Sequence, residues 1–301
     1  MRTGLSDNVR AAGFMVLACM GFSINDAFMK TLAGEVPLFQ AIFLRSLFAT
    51  TLIGILAWQG GGLAYRPRHR DRRLIQLRSL GEIGGTVCFL LALFNMPLAG
   101  ATAILQSLPL AVTLAAAVFF AEPVGWRRYL AIAVGFLGVI VIIRPGSEHF
   151  NAHALWAVAA IAFIVTRDLS TRRMSPGTPA LEVVFLTSAA LTLAAGAAVL
   201  ATDWQPLDLR HLVVFLVAAV CLLVGYMAAF VAMRAGEIGF VQPFRYTLLL
   251  WAMLLGILMF GEWPDAWMLT GSAIVVATGL FTFYREQRLG RRRPRVIREA
   301  S

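Results

Sequence analysis

The chain has 301 residues, 59% of them hydrophobic and only 14% charged, with a mean hydropathy of +0.76. A soluble domain carries about a quarter charged residues, so this balance excludes an ordinary soluble fold and places most of the chain in lipid. The formal net charge of +10 would suggest nucleic acid in a soluble protein, but the arginines sit between apolar runs and after the last one, and no nucleic-acid partner is expected.

Ten apolar runs approach or exceed the roughly 20 residues a helix needs to cross a bilayer. They are expected at 11–32, 38–58, 80–95, 98–121, 127–143, 152–170, 180–201, 211–233, 238–260 and 266–284. Period-two alternation is absent, so the spans are helices and not strands of a barrel. The first run follows Arg2 and Arg10 in the manner of a signal peptide, yet it continues through Asn25, Asp26 and Lys30 without a convincing cleavage site and is kept in the mature protein. Cys19, Cys88 and Cys221 all fall inside spans, where a free thiol behaves as a small apolar side chain; neither a disulfide nor a metal framework is implied.

The second half repeats the first. At an offset of 142, Asn25-Asp26 falls on Arg167-Asp168, Lys30 on Arg172, Pro37 on Pro179, Phe43-Leu44 on Phe185-Leu186 and Ser46 on Ser188. Two further registers place Ala99–Pro109 over Gly236–Tyr246, and the span-ending Glu122 over Glu262. The expected domains are a first five-helix repeat over 11–143, a second over 152–284, and a basic tail over 285–301. Five spans per half is an odd number, so the second half enters the membrane from the opposite side, giving an inverted repeat of the kind that builds secondary transporters.

Orientation follows from the arginines. With the N-terminus inside, one side receives Arg66, Arg68, Arg70, Arg72, Arg73, Arg78, Arg127, Arg128, Arg172, Arg173, Arg234 and the tail, while the other receives Lys30, Arg144 and Arg210. Cytoplasmic loops accumulate Lys and Arg, which predicts a bacterial-type inner membrane location with both termini cytoplasmic.

The ten spans in two halves, the "FSINDAFMK" stretch of the first span, the Ala99–Pro109 segment and the two span-ending glutamates resemble the drug/metabolite transporter superfamily, in particular EamA-type permeases with two EamA repeats. The resemblance covers about Ala11 to Tyr284. It implies an all-α membrane protein that moves a small organic metabolite by alternating access: an amino acid or derivative, S-adenosylmethionine, riboflavin or a similar compound.

Site candidates are the polar residues that lipid rejects. A charge at a span centre costs about 2.5–3.5 kcal/mol on insertion scales, so each is expected to face the bundle interior. In the ninth span Gln242, Arg245 and Tyr246 stand at i, i+3 and i+4, one helical face on which a guanidinium, an amide and a phenol suit a carboxylate or phosphate; the alternative is an internal ion pair or a snorkelling arginine. In the fourth span Thr102, Gln106 and Pro109 share helical spacing, with Gln106 a candidate ligand and Pro109 a point of loosening. Tyr226 and the equivalent Phe89 either flank a planar ligand or pack.

Asp26 and Arg45 lie at similar depth, roughly 13–16 Å below the turn near Gly34-Glu35 at 1.5 Å per helical residue. They are candidates for an outer gate, with Asp168 its inner counterpart and proton exchange at either aspartate a further role. The competing arrangement pairs Asp26 with Lys30 and Asp168 with Arg172 at i+4. Glu82 and Glu182 are expected at the inner interface, and Glu122 and Glu262 in loop hydrogen bonding. The fifth and tenth spans are expected to support packing or a homodimer.

Enzyme readings find no footing: there is no phosphate loop, no HExxH and no GxSxG, and the four histidines sit in loops or at span ends. No cofactor is implied. A channel or lipid-scrambling conduit is the alternative to a carrier.

Overall fold

The computed structural model describes residues 5–59, 69–121, 125–148, 150–175, 178–235 and 237–292. These are helical: α1 (Leu5–Lys30), α2 (Leu38–Gln59), α3 (His69–Asn95), α4 (Leu98–Leu105), α5 (Leu108–Phe120), α6 (Trp126–Ile143), α7 (Ala154–Arg172), α8 (Ala180–Val199), α9 (Leu209–Ala235), α10 (Ile238–Val241), a 3-10 segment (Gln242–Tyr246), α11 (Thr247–Phe260) and α12 (Ala266–Arg292). Ten helical stretches are long and apolar enough to cross a membrane, and the protein is a multi-pass membrane protein. An even number of crossings puts the start of α1 and the end of α12 on one side, called here the terminal side; the connections 31–37, 200–208 and 261–265 lie on the far side.

Prolines set several helix starts. Pro37 precedes α2, and its repeat-related Pro179 is the N-cap residue of α8; a fixed φ suits the entry to a helix. The expected third span starts at residue 80, but α3 begins eleven residues earlier, at His69, because the basic stretch before the apolar run is rich in good helix formers. That extension brings Arg78 into the bundle.

The fourth and ninth spans are broken, and the sequence says where. Pro109 stands at the start of α5, and its ring clashes with the carbonyl four residues back, at Leu105, where α4 ends. Pro243 likewise opens the 3-10 segment that separates α10 from α11. The two breaks meet: Gln106 Nε2 donates to the backbone carbonyl of Arg245 at 3.4 Å, and the Cys19 thiol of α1 contacts the same oxygen at 3.5 Å. Only where protein covers it can such irregular backbone persist at membrane depth.

Packing follows the repeat. The main interfaces between the halves pair α1 with α9, α3 with α7, α2 with α8 and α6 with α12. Exchanging the halves turns the first pair into the second and each of the other two into itself, so the arrangement has pseudo-twofold symmetry. Its axis passes through α2 and α8, where Thr50 and Thr192, 142 positions apart, share a hydrogen bond of 3.0 Å. On either side of it the contacts are reciprocal. A Cβ at Gly54 would lie 3.0 Å from the Phe185 ring, and one at Gly196 would lie 3.0 Å from the Phe43 ring; both pairs obey the same 142-residue offset. Elsewhere glycine permits backbone contact outright: a Cβ at Gly21 would stand 2.8 Å from the Cys221 carbonyl, which fixes how closely α1 crosses α9.

Candidate functional site

Between the repeats lies a cavity of about 500 Å³ lined by α1, α2, α3, α7, α8 and α9, with Leu105, Leu108, Arg245 and Leu248 reaching in from the broken helices. Its wall reproduces the sequence repeat. Asn25 and Arg167, Asp26 and Asp168, Arg45 and Thr187, and Ser46 and Ser188 are four pairs at the 142-residue offset, and all eight residues line the cavity.

The acids and bases of this wall form two unlike clusters. Toward the terminal side Arg167 is fully engaged, its Nε donating to Asp168 at 2.9 Å and its Nη1 to Glu82 at 3.3 Å. Beside it Arg78 Nη1 donates to Thr171 at 2.8 Å. These groups are partly exposed, with side-chain exposure of 25% for Arg167 and 34% for Asp168. Deeper in, Asn25 Nδ2 donates to Asp26 Oδ1 at 2.8 Å. Arg45 is only 9% exposed, yet its Nε–H has no hydrogen-bond partner among the described residues, nor does the buried Asn25 Oδ1. Tyr226 lies among both clusters, within electrostatic reach of Arg45, Glu82, Arg167 and Arg78, and packs edge-on against Phe22 at 5.3 Å between centroids. Phe89 completes the aromatic lining.

On the far side, bonds join the two repeats. Lys30 pairs with Glu262 at 2.9 Å and donates to the carbonyls of Leu93 and Met96, while the other oxygen of Glu262 accepts from Leu98 N at 2.8 Å. Gln40, fully buried, forms a two-point contact with the backbone of Gln205 at 2.8 and 3.0 Å. Arg210 reaches Glu35 at 2.7 Å. Nearby, outside the spans, Arg144 donates to Asp265 and holds that carboxyl below the usual carboxylate range.

Of the residues singled out from sequence, Asp26, Arg45, Asp168, Tyr226 and Arg245 line the one cavity, and so do Glu82 and Phe89. The ninth-span trio does not stay together. The segment winds as a 3-10 turn, Gln242 Nε2 turns to the Met233 sulfur at 3.5 Å, and the Tyr246 hydroxyl lies against Gly279 of α12. Gln106 is buried where the two breaks meet, and Thr102 is buried in α4. The i+4 pairing of Asp26 with Lys30 is not formed, because Lys30 turns to Glu262. Asp168 takes Arg167 as its partner, while the Arg172 guanidinium lies over the Phe120 ring at 5.9 Å. Glu182 sits in the first turn of α8, where a carboxylate complements the helix dipole. Glu122 and the tail beyond Arg292 lie outside the described residues. Sequence reasoning missed Asn25 and Arg78 as lining groups; the repeat-mate relation of Asn25 to Arg167 was the available signal for the first.

Comparison with known proteins agrees with this architecture. The EamA-like transporter family model matches twice, over residues 9–144 and 151–284, and the chain belongs to that family. It is similar to an S-adenosylmethionine uptake transporter of Rickettsia conorii, at 25% identity over 96% of this chain and 97% of the other. It is also similar to a riboflavin transporter of Vibrio cholerae, at 28% identity over 94% and 96%, and to the pseudopaline exporter CntI of Pseudomonas aeruginosa, at 27% identity over 87% and 91%. A chain of known crystal structure shares the fold with a TM-score of 0.64 at 18% identity, covering 93% of this chain and 98% of that one. The protein is a small-molecule transporter embedded in a membrane, not an enzyme.

Proposed function

We propose that this EamA-like transporter is a secondary active carrier in which the cavity between the repeats binds a small charged metabolite and opens to alternate sides. The observation that supports this most is the wall of repeat-related pairs around the cavity, to which Phe22 with Ile164 and Ala49 with Leu191 also belong. Two halves of the same fold in opposite orientations can exchange conformations, and the site they share then faces the other side. In this reading the partly exposed cluster around Arg167 marks the open end, and the bonds of Lys30, Gln40 and Arg210 between the repeats tie the far side shut. The arginine distribution supports a cytoplasmic terminal side.

Asp26, Arg45, Asp168, Tyr226 and Arg245 are assigned to substrate contact and coupling. Gln106, Gln242 and Tyr246 are assigned to holding the broken helices at the ends of the cavity. A wall with aspartate, glutamate and several guanidinium groups favours a metabolite bearing both signs of charge, and S-adenosylmethionine, riboflavin and pseudopaline, named for the relatives, are the first solutes to try.

The test is flux in sealed vesicles containing the purified protein. A carrier gives saturable uptake accelerated by unlabelled solute on the opposite side. Unsaturable flux, lipid scrambling without solute flux, or single-channel current identifies a conduit instead.

A further inference from the structure

Arg45 presents a chemical problem. A guanidinium cannot shed its charge, and one buried with a donor unused keeps part of its desolvation cost even with a carboxylate, that of Asp26, within electrostatic reach. The other arginines of the cavity wall are at least partly relieved of it, although Arg78 Nε, like Arg45 Nε, is buried without a hydrogen-bond partner among the described residues. Arg167 holds two carboxylates, Arg78 bonds Thr171 near the opening, and Arg245 is exposed. Arg45, nine-tenths buried, keeps an Nε–H without a hydrogen-bond partner, and across the same wall the buried Asn25 keeps an unused acceptor oxygen next to the Asp26 carboxylate. The deep end of the cavity therefore offers a positively charged donor and negatively charged acceptors within electrostatic reach of one another.

Building on the carrier reading, we infer that Arg45, Asn25 and Asp26 form a seat for an α-amino-acid head group. The substrate carboxylate is held by the Arg45 guanidinium, and its ammonium by Asn25 Oδ1 and the Asp26 carboxylate. Charge balance selects this head. Asp26 and Arg45 sum to zero, so a zwitterion satisfies both and leaves the sum unchanged, whereas a simple anion or cation satisfies one group and leaves the other buried and unpaired. The rest of the solute extends past Tyr226, Phe22 and Phe89, whose rings suit a planar side group. The repeat-related positions, Arg167, Asp168 and Thr187, form no second seat, because Arg167 is already consumed by Asp168 and Glu82. The proposal thus gives the pseudo-symmetric cavity one polar end for binding and one for closure.

The experiment measures affinity in purified full-length protein, by thermal shift and calorimetry, for matched solutes differing only in the head. These are S-adenosylmethionine and its decarboxylated form; tryptophan, tryptamine and indolepropionate; and riboflavin, which lacks the head. At least one zwitterion is expected to bind, and deleting its carboxylate or its ammonium is expected to weaken binding about tenfold or more, since a site built for a polar group rejects the analogue lacking it. Arg45→Gln is expected to bring the ratio of zwitterion to decarboxylated affinity down to about one, and Asp26→Asn to remove the penalty for a missing ammonium. Because the readout is a ratio within one preparation, a general loss of fold does not mimic it, and Arg45→Lys, which keeps the charge without the fork, is expected to fall between.

Equal affinity for zwitterion and amine, an undiminished ratio in Arg45→Gln, or no binding by any zwitterion of the set overturns the seat. The carrier reading is judged separately on the same preparation: saturable counterflow of riboflavin or any other solute keeps it while the seat falls, and leak alone ends both.

Discussion

The interface of α2 with α8 and the charged wall of the cavity are both made by corresponding residues of the two repeats, yet they treat that correspondence differently. Along α2 and α8 the repeats contribute the same residues to the same contacts: Thr50 bonds Thr192, Phe43 fills the space left by Gly196, and Phe185 fills the space left by Gly54. On the wall the aspartates and serines correspond, Asp26 to Asp168 and Ser46 to Ser188, but the arginines do not. The first repeat places one of its two wall arginines on α2, at Arg45, where it lacks a hydrogen-bond partner for Nε; the second places one on α7, at Arg167, bonded to the adjacent Asp168. Symmetric packing lets the two halves adopt each other's shape, and unlike charges give the two ends of the cavity different work.

The largest expected effect contrasts the two arginines. Removing one partner of a buried charge pair costs about 3–5 kcal/mol; with Arg167 a quarter exposed, solvent screening brings this to about 2–3 kcal/mol for Arg167→Gln, which strands Glu82 and Asp168. Arg45→Gln should lower the thermal midpoint of the purified protein by less, while the preference for a carboxylate-bearing solute is lost. Equal destabilisation by the two substitutions would contradict the division of roles.

A smaller effect probes the symmetric region. Gly54→Val and Gly196→Val each drive methyl groups into a phenylalanine ring already in close contact, and overpacking costs about 1–3 kcal/mol. The two midpoints should fall by similar amounts, whereas a marked difference would mean that the contacts are not equivalent.

The smallest effect lies outside the membrane. Arg144→Gln removes the hydrogen bond that depresses the Asp265 carboxyl. A depressed folded-state value contributes stability above the unfolded value and loses it as pH falls through the folded one. The variant should therefore be less stable than wild type by under about 1 kcal/mol at neutral pH, with the gap closing in acid below the ordinary carboxylate range. A gap independent of pH would assign the effect to packing of Arg144 on Trp267.

Much of this was legible in the sequence. The 142-residue offset gave which positions of the two halves correspond, and the structure adds that Thr50 meets Thr192, and Phe43 meets Gly196, across α2 and α8. Pro109 marked the break in the fourth span. What escaped was side-chain direction wherever the helix changed its winding. Gln242, Arg245 and Tyr246 share a face only on a regular α-helix, and Pro243 within the trio is the residue that disturbs it. Arg78 was hidden because hydropathy ends a span where charge begins, although a helix can run on through charged residues. The sealing pair of Lys30 with Glu262 joins residues more than two hundred positions apart on different repeats, a contact that no local pattern encodes.

The central claim is that one cavity is reached from either side in turn, with the far-side bonds keeping it closed in the present conformation. Ser188→Cys, placed on the wall in a background with Cys19, Cys88 and Cys221 replaced, reports access when a membrane-impermeant thiol reagent is applied to one side of sealed vesicles or the other. The account predicts labelling from the terminal side alone, and on adding Lys30→Met, which unties Glu262, a rise in labelling from the far side with a matching fall from the terminal side. Far-side labelling that stays absent, or that rises with no terminal-side loss, would contradict alternating access.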